Sequence, residues 1–496
     1  MNREESLIDF KADRKTIQKS AINSILIQII FKMKGFITIP IMTYYLAPKD
    51  MGIYNLILVT ASLLTPIFYM NLADGPVVYL VQEKSGKRIQ DMYNTVVSSS
   101  LVFFTFFLII FLFVVSQFGH VKYRYLYFVA PVIFSTIFYK LFSYIFVVFQ
   151  KTTIVVKNTF FKDVFETALG ILLVVIGFSY KGFIVANIMA SILGGLFIYR
   201  FARRDFPLRF FIDKEILGKF LKTSLTLMPV FFFSWAIHSS DSYFLLYYRG
   251  ENSVGKYALV YGLCNMILIL TWALNFFWFP LSARLWVEDK EKYRKFFVKI
   301  FTVFSAALMM VVLLLEFNSK IIMQFFARRP EYRDAYTIMG VIAFAFAMQV
   351  LITLLTAPLY SSKNTFQIFF SYFTGGTVNI VLNFLLIPSH GIWGATISTV
   401  LSYGIVVLLM SYFNYHLARF AFIEKRLIYM TLIFIPLWLG LVLIRNQIVF
   451  YQLLLLDLVL FFLGGSLIYF KVLNREEKGY FLSIVKELKL KLAPGH

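Results

Sequence analysis

The sequence is short of almost everything a soluble enzyme relies on. Among 496 residues there is one cysteine, there are five histidines, and only 15% of positions are charged. The single thiol, Cys264, excludes an intrachain disulfide and any metal site built from several cysteines. No GxxxxGK(S/T) phosphate loop occurs, which excludes ATP-driven export through that motif. Acidic residues are scarce as well, with 26 Asp and Glu against 48 Lys and Arg and a net charge of +22. A soluble domain carries roughly 25% charged residues because its surface meets water. A chain this long and this poor in charge is expected to face lipid instead.

Hydrophobic side chains are abundant. They make up 59% of the chain, and 19% of all residues are aromatic. Apolar runs of about 20 residues, enough to cross a ~30 Å hydrocarbon core, recur along the whole length. The expected fold is an all-α polytopic membrane protein with about fourteen transmembrane helices. Spans are predicted near 19–46, 51–81, 94–117, 124–149, 153–178, 182–200, 219–247, 254–283, 299–318, 335–360, 366–388, 391–416, 427–444 and 448–470. The connections between them are short, so no extramembrane domain is expected. A lipid-dependent polymerase, ligase or glycosyltransferase would need a large outer loop bearing catalytic Asp, His or Arg. The pattern therefore points away from an enzyme and from a cofactor.

The basic charge has two readings, an anionic partner such as nucleic acid or simple membrane topology. Counting loop by loop with the N-terminus inside places about 31 Lys and Arg on the cytoplasmic side and about 11 outside. Arg200, Arg203, Arg204 and Arg209 share one cytoplasmic loop, Lys292, Arg294, Lys295 and Lys299 another, and Lys486, Lys489 and Lys491 the tail. Topology thus absorbs most of the charge, and no nucleic-acid partner is expected. Both termini are placed in the cytoplasm, with residues 1–18 as a cytoplasmic arm.

The two halves resemble each other. Asp50-Met51-Gly52-Ile53-Tyr54 is echoed by Val254-Gly255-Lys256-Tyr257, and Gly182-Phe183-Ile184-Val185-Ala186 by Gly391-Ile392-Trp393-Gly394-Ala395. Six spans separate the copies, an even number, so the repeats run parallel. The predicted organisation is a six-helix lobe over 19–213, a second over 214–420, and two extra helices with a basic tail over 421–496. A substrate site between two such lobes is a transporter plan.

Three stretches resemble a known family. Leu46-Ala47-Pro48-Lys49-Asp50-Met51-Gly52-Ile53-Tyr54 is similar to the first-loop signature of polysaccharide flippases in the multidrug/oligosaccharidyl-lipid/polysaccharide exporter superfamily, with Ala47 where a Gly is usual. Asp241-Ser242-Tyr243-Phe244-Leu245 and Val254-Gly255-Lys256-Tyr257 resemble its second-lobe signature, and Asn379 to Pro388 continuing into Gly391-Ile392-Trp393-Gly394-Ala395 is the most specific match. The resemblance implies a MATE-like fold and a Wzx-type flippase of the bacterial cytoplasmic membrane. Its substrate would be an undecaprenyl-pyrophosphate-linked oligosaccharide repeat unit, for O-antigen, capsule or exopolysaccharide. Transport would proceed by alternating access, coupled to protons or cations, in a monomer surrounded by membrane lipids. Within the same fold, a flippase for lipid II or a spore-cortex precursor is the main alternative, and a multidrug/cation antiporter a weaker one.

Polar residues inside spans mark candidate sites, because a charge at mid-bilayer costs at least ~2.5–3.5 kcal/mol and needs a partner or water. Ser24, Gln28 and Lys32 form one stripe on span one, with Lys34 on the opposite side. Lys32 is placed either to attract a pyrophosphate or to pair with a carboxylate on a neighbouring span. On span seven, Ser234, His238 and Asp241 share a face; His238 with Asp241 could carry a coupling proton or form an inert hydrogen-bonded pair. Span eight presents Tyr257, Tyr261, Asn265, Trp272 and Asn275, suited either to sugar stacking or to packing, and Arg284 at its inner end as a gate or a snorkelling anchor. Lys140, Lys162, Asp163 and Glu166 are expected to form a buried ion network in the first lobe, Asp74 to cap, kink or contact substrate, and Asn379 with Asn383 to join helices.

Overall fold

The computed structural model describes residues 34–73, 77–118, 121–149, 152–417 and 425–444, and no strand occurs among them. The helices are α1 (34–45), α2 (Pro48–Phe68), α3 (Val77–Gln82), α4 (Gly86–Phe118), α5 (Val129–Val148), α6 (Thr152–Leu173), α7 (Ser179–Asp205) and α8 (Lys214–Ser239). They continue as α9 (Asp241–Arg249), α10 (Glu251–Cys264), α11 (Ile269–Glu288), α12 (Lys290–Phe317), α13 (Ser319–Phe326), α14 (Met339–Ser361), α15 (Thr365–His390), α16 (Ile392–Leu417) and α17 (Lys425–Ile444).

Local chemistry sets several of these boundaries. Pro48 opens α2, where its missing N–H leaves nothing unsatisfied. Asp213 and Asp289 cap α8 and α12, each accepting two backbone N–H bonds at the first turn. A turn with Gly177 at φ +103° and Ser179 at φ +52° folds α7 back along α6.

Ten helical stretches among the described residues are long and apolar enough to cross a membrane, and one of them, Thr153–Asp205, contains that turn and so makes two passes. The protein is therefore a multi-pass membrane protein. The predicted spans one and fourteen lie partly or wholly outside the described residues, so fourteen is not counted here. Large apolar side chains such as Phe106, Phe113, Phe161, Phe384 and Leu408 stand exposed, as expected where the surrounding solvent is hydrocarbon.

Two predicted spans are less regular than expected. Span two, read as 51–81, stops at Phe68, because Met70 and Asn71 both take φ +52° and break the helix four residues after Pro66. Span eight, read as one helix over 254–283, tightens to a 3₁₀ turn over Asn265–Leu268. The turn shifts the phase of every residue beyond it.

Chain halves meet most intimately where α2 and α10 begin. A Cβ on Gly255 would overlap the carbonyl oxygen of Pro48, and one on Gly52 would overlap that of Glu251. Backbone therefore packs on backbone, as small residues permit between membrane helices. Around this contact, Tyr332 Oη donates to Leu46 O at 3.1 Å and Arg329 Nε to Tyr44 O at 3.0 Å. Thr43 Oγ1 also donates to Phe326 O. Away from that end, buried Asn94, Thr95 and Ser98 on α4 accept the backbone N–H groups of Arg209, Asp213 and Phe211, tying down the strap from α7 to α8.

Replacing Gly255 with Val should force α2 and α10 apart, at an overpacking cost of about 1–3 kcal/mol. An Asn55→Cys probe in that background should then react faster with a water-soluble maleimide than in the Gly255 protein. Native Cys264 is buried and adds little background.

Candidate functional site

Between α2 and the α8–α10 segment lie two adjoining cavities. The first, about 180 Å³, is lined by Asn55 and Val59 of α2 and by His238, Asp241, Tyr257, Tyr261 and Asn265 among others. The second, about 450 Å³, is lined by Ser62, Ser234, Trp235, His238 and Gln349 with apolar neighbours. Val59, His238 and Ser239 border both, so His238 stands at the junction.

Asp241 is buried at the first turn of α9. Its carboxylate accepts hydrogen bonds from Tyr257 Oη, from the Ser242 N–H at 2.9 Å and from Thr399 Oγ1 of α16 at 3.4 Å. A carboxylate taken out of water needs such donors, and three separate helical segments supply them. His238 sits one turn earlier. Tyr261 Oη lies 2.9 Å from its Nδ1 and donates to its carbonyl at 2.6 Å, while Phe346 meets the ring edge-on. The tyrosines at i and i+4 of α10 thus each serve one polar residue of the preceding span.

Three side-chain hydrogen bonds cross the cavity wall from α2. Asn55 Nδ2 donates to Ser242 Oγ at 3.2 Å, Thr60 Oγ1 pairs with Tyr243 Oη at 2.7 Å, and Trp235 Nε1 donates to Ser62 Oγ at 3.1 Å. Each partner can hold or release its bond at small net cost, about 0.5–1.5 kcal/mol. A seam closed by such bonds can open without breaking a packed core.

The profile of the polysaccharide biosynthesis protein family matches residues 17–286, more than half of the chain. The chain belongs to that family. An uncharacterized membrane protein of Methanocaldococcus jannaschii, MJ1068, is 22% identical over 260 residues. That alignment covers 50% of this chain, and the chain spans about half the length of the relative. Among solved structures, the lipid II flippase MurJ in an inward closed conformation matches 91% of this chain and 98% of its own, with TM-score 0.70 at 13% identity. An inward-facing MATE family multidrug resistance transporter of the MOP superfamily matches 82% and 95%, with TM-score 0.58 at 12% identity. The fold is thus MurJ/MATE-like, and these neighbours are transporters.

Of the site residues predicted for this family member, His238, Asp241, Tyr257, Tyr261 and Asn265 come together at one cavity. Asn275 and Arg284 do not join them. Asn275 is exposed beyond the 3₁₀ turn, and Arg284, also exposed, pairs with Glu288 at 3.4 Å. Lys32, Gln28 and Asp74 lie outside the described residues. Asn55, Gln349 and Thr399 escaped the sequence reading, although each is a polar residue within a predicted span and Asn55 directly follows the first signature stretch. Asn383 Nδ2 donates to Asn379 Oδ1 and to Ser240 Oγ, fastening α15 to the α8–α9 junction.

The ionic cluster of α6 lies apart from these cavities. Lys162 Nζ is 3.0 Å from Asp163 and 3.4 Å from Glu166, with these side chains only 13–16% exposed. Asn187 of α7 donates to Glu166 at 3.1 Å, and Lys34 of α1 reaches Asp163 at 3.7 Å. Lys140, expected in the same network, donates to Tyr69 Oη at 2.8 Å.

Tyr257→Phe removes one donor from buried Asp241, so stability in detergent should fall by about 1–3 kcal/mol, measured by thermal unfolding. Lys162→Met leaves two carboxylates without their shared cation and should cost about 3–5 kcal/mol in the same assay, with Lys162→Arg close to wild type.

Proposed function

We propose that this protein is a flippase for an undecaprenyl-pyrophosphate-linked oligosaccharide repeat unit, moving the headgroup from the cytoplasmic to the outer leaflet by alternating access. One observation carries most of the weight: a tyrosine- and amide-lined cavity bordered by a buried carboxylate lies between α2 and α8–α10 in a member of the polysaccharide biosynthesis protein family. Tyrosine and asparagine side chains suit sugar rings and hydroxyls.

At about 180 Å³ the polar cavity is smaller than the 300–1,000 Å³ typical of ligand sites. Substrate passage then requires the α2–α10 contact at Gly52 and Gly255 to part. With the N-terminus in the cytoplasm that contact lies at the outer face. The present conformation is then closed outward, and headgroup release follows separation of the two glycines. Lys32 is assigned to the pyrophosphate by charge. Asp241 and His238 are assigned to ion coupling and gating, because both line the cavity and His238 stands where it meets the larger one. The Lys162–Asp163–Glu166 cluster is assigned to holding α1, α6 and α7 together.

Deleting the gene should abolish surface polysaccharide and cause lipid-linked oligosaccharide to accumulate inside the cell, followed by extraction and mass spectrometry. Wild type should restore both. Lys32→Ala and Asp241→Asn, expressed at equal level, should restore less than about a tenth of the polysaccharide, the loss expected when one charge-assisted interaction of ~1.5–3 kcal/mol is removed. Normal polysaccharide after deletion, with peptidoglycan precursor accumulating instead, would replace this substrate with lipid II.

A further inference from the structure

The seam that α2 makes with α8 and the start of α9 changes character along its length. At its α9 end it is polar, held by the Asn55–Ser242, Thr60–Tyr243 and Ser62–Trp235 bonds. At its far end it is polar again, where Ser224 Oγ donates to Asn71 O at 3.2 Å and Tyr79 Oη pairs with Thr223 Oγ1 at 3.2 Å. Between these bonded ends lies a third cavity, about 300 Å³, whose walls include Leu63, Pro66, Ile67, Met228, Pro229 and Phe232, with no ionisable side chain among the described residues that line it. Pro66 and Pro229 lie inside their helices on opposite walls. Neither proline has an N–H to give to its helix, and both rings lie on the cavity wall.

This apolar cavity adjoins the polar ones. Phe231 borders both it and the 450 Å³ cavity, which in turn shares Val59, His238 and Ser239 with the Asp241 cavity. The three cavities therefore lie in series, from a carboxylate and tyrosines, past a histidine, to a stretch whose described lining is apolar. Phe232 and Pro229 are exposed on the apolar stretch, so it also reaches the surface of the protein. A bilayer phospholipid matches this badly, because its headgroup sits at the membrane surface and not inside the seam. A molecule with a polar head in the Asp241 cavity and a long hydrocarbon tail leaving sideways matches it from end to end.

We infer that the α2–α8 seam is the binding site for the hydrocarbon tail of the transported lipid, holding its first isoprenoid units between Pro66 and Pro229 while the headgroup occupies the cavity at Asp241. The inference rests on the lipid-linked substrate of the proposed function. It adds a lateral opening at α2–α8, bounded by the Ser62–Trp235 bond on one side and the Asn71–Ser224 bond on the other. Tail exchange with the membrane does not require the α2–α10 glycine contact to open, so loading the tail and releasing the head become separate steps.

The test uses full-length protein in phosphatidylglycerol vesicles with a polyprenyl phosphate carrying a diazirine in its first isoprenoid units. After illumination, adducts are mapped by mass spectrometry. In parallel, the same vesicles receive a phosphatidylglycerol with a diazirine in its acyl chain. The expected result is polyprenyl adducts on Ile67, Met228 or Phe232 that unlabelled polyprenyl phosphate competes away, with no competable phospholipid adducts there. Met228→Trp should fill the cavity and lower those adducts by roughly tenfold, the change that follows from excluding about two buried chain carbons. Met228→Leu should retain them, and both variants should unfold at the wild-type temperature. Equal seam labelling by the phospholipid probe, or polyprenyl adducts confined to lipid-facing positions such as Phe161, would overturn the tail site and leave the flippase reading standing. No polyprenyl adduct anywhere on the protein would instead count against the substrate itself.

Discussion

Where α2 and α10 begin, two helices come so close that neither Gly52 nor Gly255 could carry a side chain. Much of the site's geometry hangs from this contact. It sets the distance between the α2 face bearing Asn55 and Val59 and the α10 face bearing Tyr257 and Tyr261, and so the size of the cavity between them. In water two apolar helices would be driven together by burial. In lipid that drive is missing, and close packing with shared hydrogen bonds has to supply the adhesion. Glycine against glycine gives the closest approach a backbone allows, and the bonds from Tyr332 and Arg329 to nearby carbonyls add directionality.

The same shortage of hydrophobic drive explains the polar seam. The interface of α2 with α8 and α9 is held by hydroxyl, amide and indole groups spaced along it, with an apolar gap in the middle. Such bonds are individually weak and reversible. An interface made of them can come apart in sections, which suits a protein whose proposed work is to open at one place while staying shut at another. The α6 cluster is built on the opposite principle. Lys162 between two carboxylates, largely out of water, is costly to disrupt and marks a region that should move as one piece.

The buried carboxylate shows how far neighbours decide chemistry. Asp241 by itself is an expensive residue for a membrane span. Tyr257, Thr399 and the Ser242 amide come from α10, α16 and α9 and converge on it only in the assembled fold. Tyr261 does the corresponding service for His238. The alternation of the two tyrosines, one turn apart, places both polar residues of the preceding span on the same cavity.

By itself the sequence determined that this chain is a multi-pass helical membrane protein, because apolar runs long enough to cross hydrocarbon depend on local composition alone. It also made the family legible, since the stretches around Gly52, Asp241, Gly255 and Asn379 are contiguous motifs. Helical spacing brought out His238, Asp241, Tyr257, Tyr261 and Asn265, which sit within regular or nearly regular helix. It misplaced Asn275, because a 3₁₀ turn over Asn265–Leu268 rotates everything after it and no residue type in that turn announces the change. Lys140, which depth placed level with the α6 charges, donates to Tyr69, a contact that no pattern within its own span announces. Asn55, Gln349 and Thr399 became site residues only through helices that approach from elsewhere in the chain. Tertiary structure alone decided the glycine contact, the divided seam and the apolar gap between Pro66 and Pro229. Each depends on which face of one helix meets which face of another, and period and hydropathy within a single segment carry no record of that.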